Sequence, residues 1–319
     1  MSKKNLRRIG IALLLTMLLS CVSAGALAAT DAQNAAAVLS AGSAPIAENL
    51  SVSTYKNIAI TGQVSAVDPK GEMVTFALSA APSKGTVVLA GDGTFTYTPD
   101  QNKRGKDTFT FTATDASGNV SDEATVTVTI LKRTGKLTYS DMEGNSAYYA
   151  ALRLSEEGIF TGEKLGDDSF FEPDRQVTRG EFLAMCMNLC KVENLSGITR
   201  TGFYDDSAIP AWLKPYVSTA LVSGAVEGSV DADGNHVFDA ASPITYAQAL
   251  VMLNSLMEIT DVSVTDTADA EDAWWHQAQV NLIACDIIPS GSTYTSSSAL
   301  TRADVAKLLL GAIEFLDGK

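Results

Sequence analysis

The chain of 319 residues has few of the residue types on which most catalytic and metal sites depend. It contains two histidines, and neither His236 nor His276 has other ligand-type residues near it at metal-binding spacing. It also lacks a nucleophile elbow, a zinc motif, a phosphate-binding loop and a dinucleotide-binding fingerprint. We therefore expect a protein that is not an enzyme and that needs no cofactor. Carboxylate pairs for glycoside hydrolysis stay open, because the fold sets their separation.

Cysteine is too scarce for a disulfide framework. Of the four cysteines, Cys21 lies in the N-terminal leader, Cys186 and Cys190 lie four apart on one apolar helical stripe, and Cys285 lies in another predicted helix. Three cysteines outside the leader, at this spacing, predict free thiols that pack as small apolar side chains. Redox or metal chemistry is the alternative interpretation.

Positive charge is also in deficit. The chain has 23 Lys and Arg residues against 37 Asp and Glu residues, for a formal net charge of −14. Residues 1–28 contain four basic residues and no acid, so the net charge without this segment is −18. A protein this acidic repels phosphate backbones, which excludes nucleic acid as an expected partner.

Long apolar runs are confined to the N-terminus. Residues 1–28 combine four positive charges, an apolar stretch from Ile9 to Val22 and the small-residue site Ala26-Leu27-Ala28, which together predict a secretory signal peptide. Leu18-Leu19-Ser20-Cys21 is a rough lipobox, so cleavage as a lipoprotein is the alternative. No later run approaches the roughly 18 residues that a membrane helix needs. We expect a secreted protein without a transmembrane segment. Any retention at the cell surface would then depend on non-covalent contacts.

Residues 45–131 follow a linker at 29–44 and have the two-residue period of half-buried strands. Phe95 and Tyr97 alternate with threonines, and the same pattern recurs around Phe109 and Phe111 and from Val126 to Ile130. About seven short strands separated by turn signals favour an all-β sandwich.

The stretches PSKGTVVLAGDGTFTYTPD and GKDTFTFTATDASGNVSDEATVTVTI make this segment resemble the cadherin-like, immunoglobulin-like modules of bacterial surface proteins. The resemblance implies a module that supports adhesion or another interaction, and it raises calcium binding in acidic loops. Asp68, Asp107 and Asp115 are the candidate ligands. Solvated turn acids without metal are the alternative.

The period changes after Lys132, and three helix-rich units follow. A helix-start motif recurs as QVTRGEF, ITYAQA and LTRADV, with an aromatic residue seven positions before each threonine. The shared positions are an upstream acid, the start of a first helix and the aromatic residue: Asp141, Ser146 and Phe171 in unit one; Asp205, Trp212 and Phe238 in unit two; Asp266, Trp274 and Tyr294 in unit three.

With SAYYAALRLSEEGIF and FFEPDRQVTRGEF, the chain resembles the S-layer homology family, in three copies at 138–193, 202–259 and 264–317. The resemblance implies that the copies fold as one all-α, pseudo-threefold domain. It also implies that the grooves between copies bind a secondary cell-wall polysaccharide linked to peptidoglycan, often through pyruvate-ketal groups.

The motif has two parts with different physical roles. Thr178 with Glu181, Thr245 with Gln248, and Thr301 with Asp304 have the spacing of helix-capping boxes. Capping does not explain Arg179 and Arg302, which stand at the positive end of a helix dipole. Free helix N–H groups and a guanidinium fork would together bind a carboxylate. An ion pair with a local acid is the alternative.

The resemblance assigns the carbohydrate-binding residues position by position. Arg179 and Arg302 would bind carboxylates beside Thr178 and Thr301, and unit two would be weak because Tyr246 replaces the arginine. The upstream acids Asp141, Asp205 and Asp266 would line or brace grooves. Trp212 and Trp274 would lie near the sugar, with core packing as the alternative.

Together these features predict a secreted surface protein, anchored to a bacterial cell wall through its C-terminal units, that displays the sandwich outward. An S-layer lattice subunit and a wall-active polysaccharide hydrolase are the alternatives.

Overall fold

The computed structural model describes residues 44–261, 274–289 and 294–318. The predicted signal peptide, the linker through residue 43 and Asp266 lie outside these described residues. The first nine strands, in chain order, are β1 (Ile46–Ala47), β2 (Leu50–Tyr55), β3 (Ile60–Gln63), β4 (Ala66–Val67), β5 (Thr75–Ala80), β6 (Gly85–Leu89), β7 (Thr94–Pro99), β8 (Gly105–Thr114) and β9 (Ala124–Leu131).

These strands form a β-sandwich-like arrangement. One sheet has the order β2-β9-β8-β5 and the other β3-β7-β6, while β1 and β4 form a separate antiparallel pair. The small pair brings the count to nine rather than about seven. Inward side chains of β7, β8 and β9, among them Phe95, Tyr97, Phe109 and Val126, are fully buried between outward threonines. The predicted alternation is therefore confirmed, because each of these strands has one face in the core.

The three acids proposed for calcium already have partners in the protein. Asp107 is buried, and its carboxylate accepts hydrogen bonds from the Ser83 and Lys84 N–H groups and from the Tyr97 hydroxyl. The interpretation of Asp107 as a solvated turn acid is therefore wrong, because this buried carboxylate holds the loop before β6. Asp68 and Asp115 hold turns, through the N–H groups of residues 70 and 72 and through both nitrogens of Asn119, respectively. Within the described ranges, no group of three or more His, Cys, Asp or Glu side chains could hold a metal ion.

The C-terminal region contains helices and short hairpins. Its elements are α1 (Tyr148–Glu156), β10 (Glu163–Leu165), β11 (Asp168–Phe170), α2 (Arg179–Leu189), a 3₁₀ turn (Asp206–Ala208), α3 (Lys214–Val222), β12 (Ser229–Val230), β13 (His236–Val237), α4 (Tyr246–Leu256), α5 (His276–Ala284) and α6 (Arg302–Leu316). The expectation of an all-α region is wrong in this respect, because β10 pairs with β11 and β12 with β13. Gly162 and Gly228, at φ of 71° and 78°, enter these hairpins where a side chain would clash with the opposite strand.

The segments before the three cap threonines bond to one another in a closed ring. Val177 N–H donates to Leu300 O at 3.0 Å, Leu300 N–H to Ile244 O at 3.0 Å, and Ile244 N–H to Val177 O at 2.9 Å. Each of these residues comes directly before a cap threonine. The three units therefore meet around one point, with each unit bonded to both others.

The sandwich and the helices share an apolar core. The Tyr55 ring, at the end of β2, meets the Tyr149 ring of α1 edge-on at a centroid distance of 5.0 Å, and the Tyr55 hydroxyl donates to Glu156. Gly135 N–H also donates to Glu156, at 3.2 Å. The connection at residues 132–135 is therefore pinned to α1, which the change in sequence pattern at Lys132 did not indicate.

Two further expectations concern membrane helices and thiols. The helices within the described residues are all too short or too polar to span a bilayer. Cys186, Cys190 and Cys285 are free cysteines, as predicted. Burial raises the pKa of the Cys186 thiol and raises that of Cys190 to about 11, which suits packing rather than redox chemistry.

Candidate functional site

The three helix starts contain the capping boxes that the motif predicts. The hydroxyls of Thr178, Thr245 and Thr301 accept from the N–H groups of Glu181, Gln248 and Asp304. Each of these acid or amide side chains accepts in return from the N–H of its threonine, at 2.9 to 3.2 Å. The threonine and the acid or amide of the motif thus define where α2, α4 and α6 begin.

The next N–H groups of each helix are occupied by the following unit. Arg179 N–H donates to Ser242 O, Tyr246 N–H to Ser298 O, and Arg302 N–H to Arg175 O, at 2.8 to 2.9 Å. The residue after each of these donates to the same neighbouring segment. The expectation that free helix N–H groups contribute to an anion site is therefore wrong, because neighbouring carbonyls satisfy them. Of the predicted anion site, the guanidinium groups of Arg179 and Arg302 are therefore the parts that remain at these helix starts.

Asp141 and Asp205 brace the loops that carry the aromatic residues. Asp141 accepts from the N–H groups of Phe171 and Glu172, and Asp205 from those of Phe238 and Asp239, at 2.6 to 2.9 Å. Glu172 and Asp239 have positive φ values of 55° and 58°, so the carboxylates hold equivalent left-handed bends. Both aspartates are therefore engaged with backbone groups.

The Arg302 guanidinium binds carboxylates of the protein itself. It is 4% exposed and stands over the Phe160 ring at 4.8 Å. One terminal nitrogen donates to Phe171 O at 2.9 Å and to Glu172 at 2.8 Å, and the other donates to Glu163 at 3.1 Å. Both terminal nitrogens are thus occupied. At this position the structure has the local ion pair of the alternative interpretation.

Arg179, at the equivalent position of unit one, has no such partners. Its Nε donates to Phe238 O at 2.9 Å, and the guanidinium stands over the Phe238 ring at 5.2 Å. Neither terminal nitrogen has a hydrogen-bond partner among the described residues, and none of their carboxylates lies within 4 Å. Burial lowers the pKa of Arg179, and Asp239 nearby raises it in part. An arginine remains charged under such conditions, so Arg179 is a cation without an ion-pair partner among the described residues.

Unit two has aromatic stacking where the other units have an arginine. The Tyr246 ring stacks on the Tyr294 ring at 5.1 Å and meets Trp275 edge-on at 6.2 Å. Tyr294 packs against Tyr246 in the way that Phe238 packs against Arg179. At the helix position of the two arginines, the described part of unit two therefore has an uncharged aromatic side chain.

Trp212 and Trp274 lie on the surface, so core packing is wrong for both. They are 56% and 66% exposed, respectively. Leu213, the residue after Trp212, is buried instead and packs against Gly180 in α2. The start of α3, with Trp212, therefore lies beside the start of α2, with Arg179. We call this region, defined by Arg179, Trp212 and Phe238, the Arg179 groove.

The region around Arg302 contains three further charged residues that the sequence did not indicate as site residues: Arg175, Glu163 and Glu172. Arg175 bonds to Glu163 at 2.6 Å, to Glu181 at 3.3 Å and to Glu172 at 3.5 Å. Arg302 lowers the pKa of Glu163 by hydrogen bonding. We call the region of Arg302, Arg175, Glu163 and Glu172 the Arg302 groove. The one signal that could have identified it is the pair of acids at the hairpin start and at the bend of unit one.

Two family models match parts of the chain. Residues 34–132 match the bacterial cadherin-like domain, and residues 138–183 match the S-layer homology domain. The chain is 27% identical over 160 residues to the surface-layer 125 kDa protein of Lysinibacillus sphaericus, covering 47% of this chain and 13% of the relative. It is 28% identical over 235 residues to the exoglucanase XynX of Acetivibrio thermocellus, covering 67% of this chain and 20% of the relative. The chain thus spans a fifth or less of these relatives.

Solved structures with similarity include the sialic acid-binding region of a Streptococcus sanguinis adhesin, at 19% identity and a TM-score of 0.23, covering 30% of this chain and 31% of that one. An endo-fucoidan hydrolase of glycoside hydrolase family 107 has 18% identity and a TM-score of 0.23, covering 28% of this chain and 14% of that one. These similarities are too low to support a functional argument. The family matches therefore show similarity to a bacterial cadherin-like domain, followed along the chain by similarity to an S-layer homology domain.

Proposed function

We propose that this protein is a non-enzymatic cell-surface protein of a bacterium, held to the cell wall without a covalent bond by three S-layer homology units. The units would form one pseudo-threefold domain at 138–193, 202–259 and 264–317. The ring of backbone hydrogen bonds between Val177, Ile244 and Leu300 supports this arrangement. The similarity to a surface-layer protein supports the location.

The Arg179 groove would bind a carboxylate of the secondary cell-wall polysaccharide, such as a pyruvate ketal. The observation that carries this proposal is the half-buried Arg179 guanidinium, whose terminal nitrogens have no partner in the described part of the chain. A planar fork of this kind suits bidentate binding of a carboxylate. Trp212, exposed beside the same helix start, offers a flat apolar face to the sugar ring.

Local recognition fits the charge of the protein. A chain with a net charge of −14 repels an anionic polymer at long range, but salt screens that repulsion beyond about 8 Å. Binding would then depend on short-range contacts to one cation rather than on a basic surface. The cadherin-like domain, joined to α1 through Tyr55 and Glu156, would be displayed rigidly for adhesion or another interaction.

A wall-active hydrolase is the second candidate, motivated by the similarity to an exoglucanase. A glycosidase needs a carboxylic acid whose pKa is raised so that it can donate a proton. The carboxyl groups whose pKa values are displaced in the described residues are all lowered: Asp92, Asp107, Asp115, Glu163, Asp206 and Asp231. None of these six groups therefore has the property of a glycosidase proton donor. An S-layer lattice subunit is the third candidate, motivated by the similarity to the surface-layer 125 kDa protein, of which this chain covers 13%.

Co-sedimentation of the secreted chain with purified cell walls tests the proposal. Walls from which pyruvate ketals have been removed chemically are the comparison sample. We expect retention on untreated walls and a large loss on treated walls. Equal retention on both would refute carboxylate recognition, and release of reducing sugars from either sample would favour the hydrolase.

A further inference from the structure

The two arginine grooves differ at one position of the hairpin beside each arginine. Glu163 in β10 pairs with Phe170, directly before Phe171, and Ser229 in β12 pairs with Val237, directly before Phe238. The residues that precede them, Gly162 and Gly228, share a positive φ and face an aromatic ring, that of Tyr139 or Phe203. Ser229 therefore occupies in the second hairpin the place that Glu163 occupies in the first.

Glu163 is the point at which two arginines of the Arg302 groove converge. One of its carboxylate oxygens accepts from Arg302 at 3.1 Å and from Arg175 at 2.6 Å. Its side chain is 55% exposed, while that of Arg302 is 4% exposed, so Glu163 lies at the mouth of the groove and covers the guanidinium. A cavity of about 460 Å³, lined by Asp141, Glu172, Pro173, Asp174 and Arg175, lies beside this cluster.

The second acid of each groove adds to this difference. Glu172 in the Arg302 groove and Asp239 in the Arg179 groove stand at the same left-handed bend. Glu172 reaches Arg302 at 2.8 Å, whereas the shorter Asp239 acts on Arg179 only from beyond ion-pair distance. Without Glu163, a terminal nitrogen of Arg302 and one of Arg175 would lose their shared carboxylate oxygen, beside the cavity that Arg175 lines.

We propose that Glu163 is a built-in carboxylate that fills the Arg302 groove, and that serine at the equivalent position leaves the Arg179 groove open to a carboxylate from outside. The identity of this one hairpin residue, glutamate or serine, would decide how many ligand carboxylates the domain binds. This inference rests on the proposed function for the class of ligand, because it takes over the assignment of Arg179 as a carboxylate binder.

Reciprocal substitutions in the secreted chain test the proposal. The probe is a methyl hexoside carrying a pyruvate ketal, titrated calorimetrically. We expect one site in the native chain, two in Glu163→Ser, and at least tenfold weaker binding in Ser229→Glu, whose new carboxylate would reach Arg179. Asp174→Asn is the matched control, because it removes one negative charge from the same cavity without a contact to Arg302. It should retain one site.

The outcomes separate this inference from the proposed function. One site in Glu163→Ser, together with a native site that Arg179→Ala removes, would overturn the inference and leave the function standing. A native chain that binds no probe, or binding that Arg179→Ala leaves unchanged, would overturn the function and this inference with it. Should Glu163→Ser unfold, Glu163→Gln retains the side-chain length and must still add a second site. Removal of that site by Arg302→Ala in the same background would place it in the Arg302 groove.

Discussion

Arg179→Ala should weaken wall binding more than it lowers stability, because the guanidinium makes few contacts in the unliganded protein. The substitution removes one hydrogen bond to Phe238 O and one cation–π contact. We expect a loss of about 1.5 to 2 kcal/mol in the free energy of unfolding, from about 1 kcal/mol for the hydrogen bond and roughly 0.5 to 1 kcal/mol for the ring contact.

The effect on affinity should be larger. A hydrogen bond to a charged group contributes roughly 1.5 to 3 kcal/mol, which corresponds to a Kd about 10 to 140 times higher. Quantitative co-sedimentation with purified walls measures this change. Arg179→Lys should lie between the native chain and the alanine variant, because it retains the charge but loses the planar fork. An unchanged Kd in Arg179→Ala, with the chain folded, would refute the assignment.

Arg302→Ala is the matched control, because it changes the same helix position in another unit. It removes the guanidinium that bonds to Phe171 O, Glu163 and Glu172. Both acids retain a contact to Arg175 and are exposed enough to rehydrate. We expect the free energy of unfolding to fall by roughly 1.5 to 3 kcal/mol, with wall binding largely retained. Equal binding losses in both alanine variants would mean that the Arg302 groove also binds ligand in the native chain.

Three further predictions concern stability and thiol chemistry. Thr245→Ala should lower the free energy of unfolding by about 1 kcal/mol through loss of the α4 cap and leave wall binding intact, as measured by urea titration and co-sedimentation; a large affinity loss would mean that unit two binds ligand. Hydrogen bonds from Lys214 and Thr201 lower the pKa of Asp206 from 3.8 to about 2, so its contribution is complete above pH 3.8 and is lost as the pH falls towards 2. Asp206→Asn should therefore flatten the decline of Tm across that interval, and an unchanged slope would contradict the assignment. Cys186 and Cys190 should react slowly with iodoacetamide at pH 8 in the folded chain and quickly in denaturant, by mass spectrometry, because burial raises both thiol pKa values; rapid labelling of folded Cys190 would contradict this.

Local sequence patterns predicted the local structure well. Alternation with threonine predicted which side chains of β7, β8 and β9 are buried, because a strand with one face in the core imposes a period of two. The spacing of threonine and acid predicted the starts of α2, α4 and α6, because a capping box involves residues only three apart. Both signals are complete within a few residues of chain.

The site depended on contacts that no local pattern contains. Arg302 donates a hydrogen bond to Glu163, which lies 139 residues earlier in the chain. Tyr55 donates one to Glu156, which lies 101 residues later. Arg179 and Arg302 share the same motif, so acids of the neighbouring unit, Glu163 in the hairpin and Glu172 at the bend, distinguish the filled guanidinium from the open one. The helix N–H groups that were expected to bind an anion are occupied for the same reason, since their acceptors belong to another unit.

A crystal structure of the chain with a disaccharide carrying a pyruvate ketal would test the central claim most directly. The account predicts the ketal carboxylate within hydrogen-bond distance of both terminal nitrogens of Arg179, with the sugar ring beside Trp212 and with Glu163 still bonded to Arg302. A carboxylate bound elsewhere, with the terminal nitrogens of Arg179 facing only solvent, would contradict it.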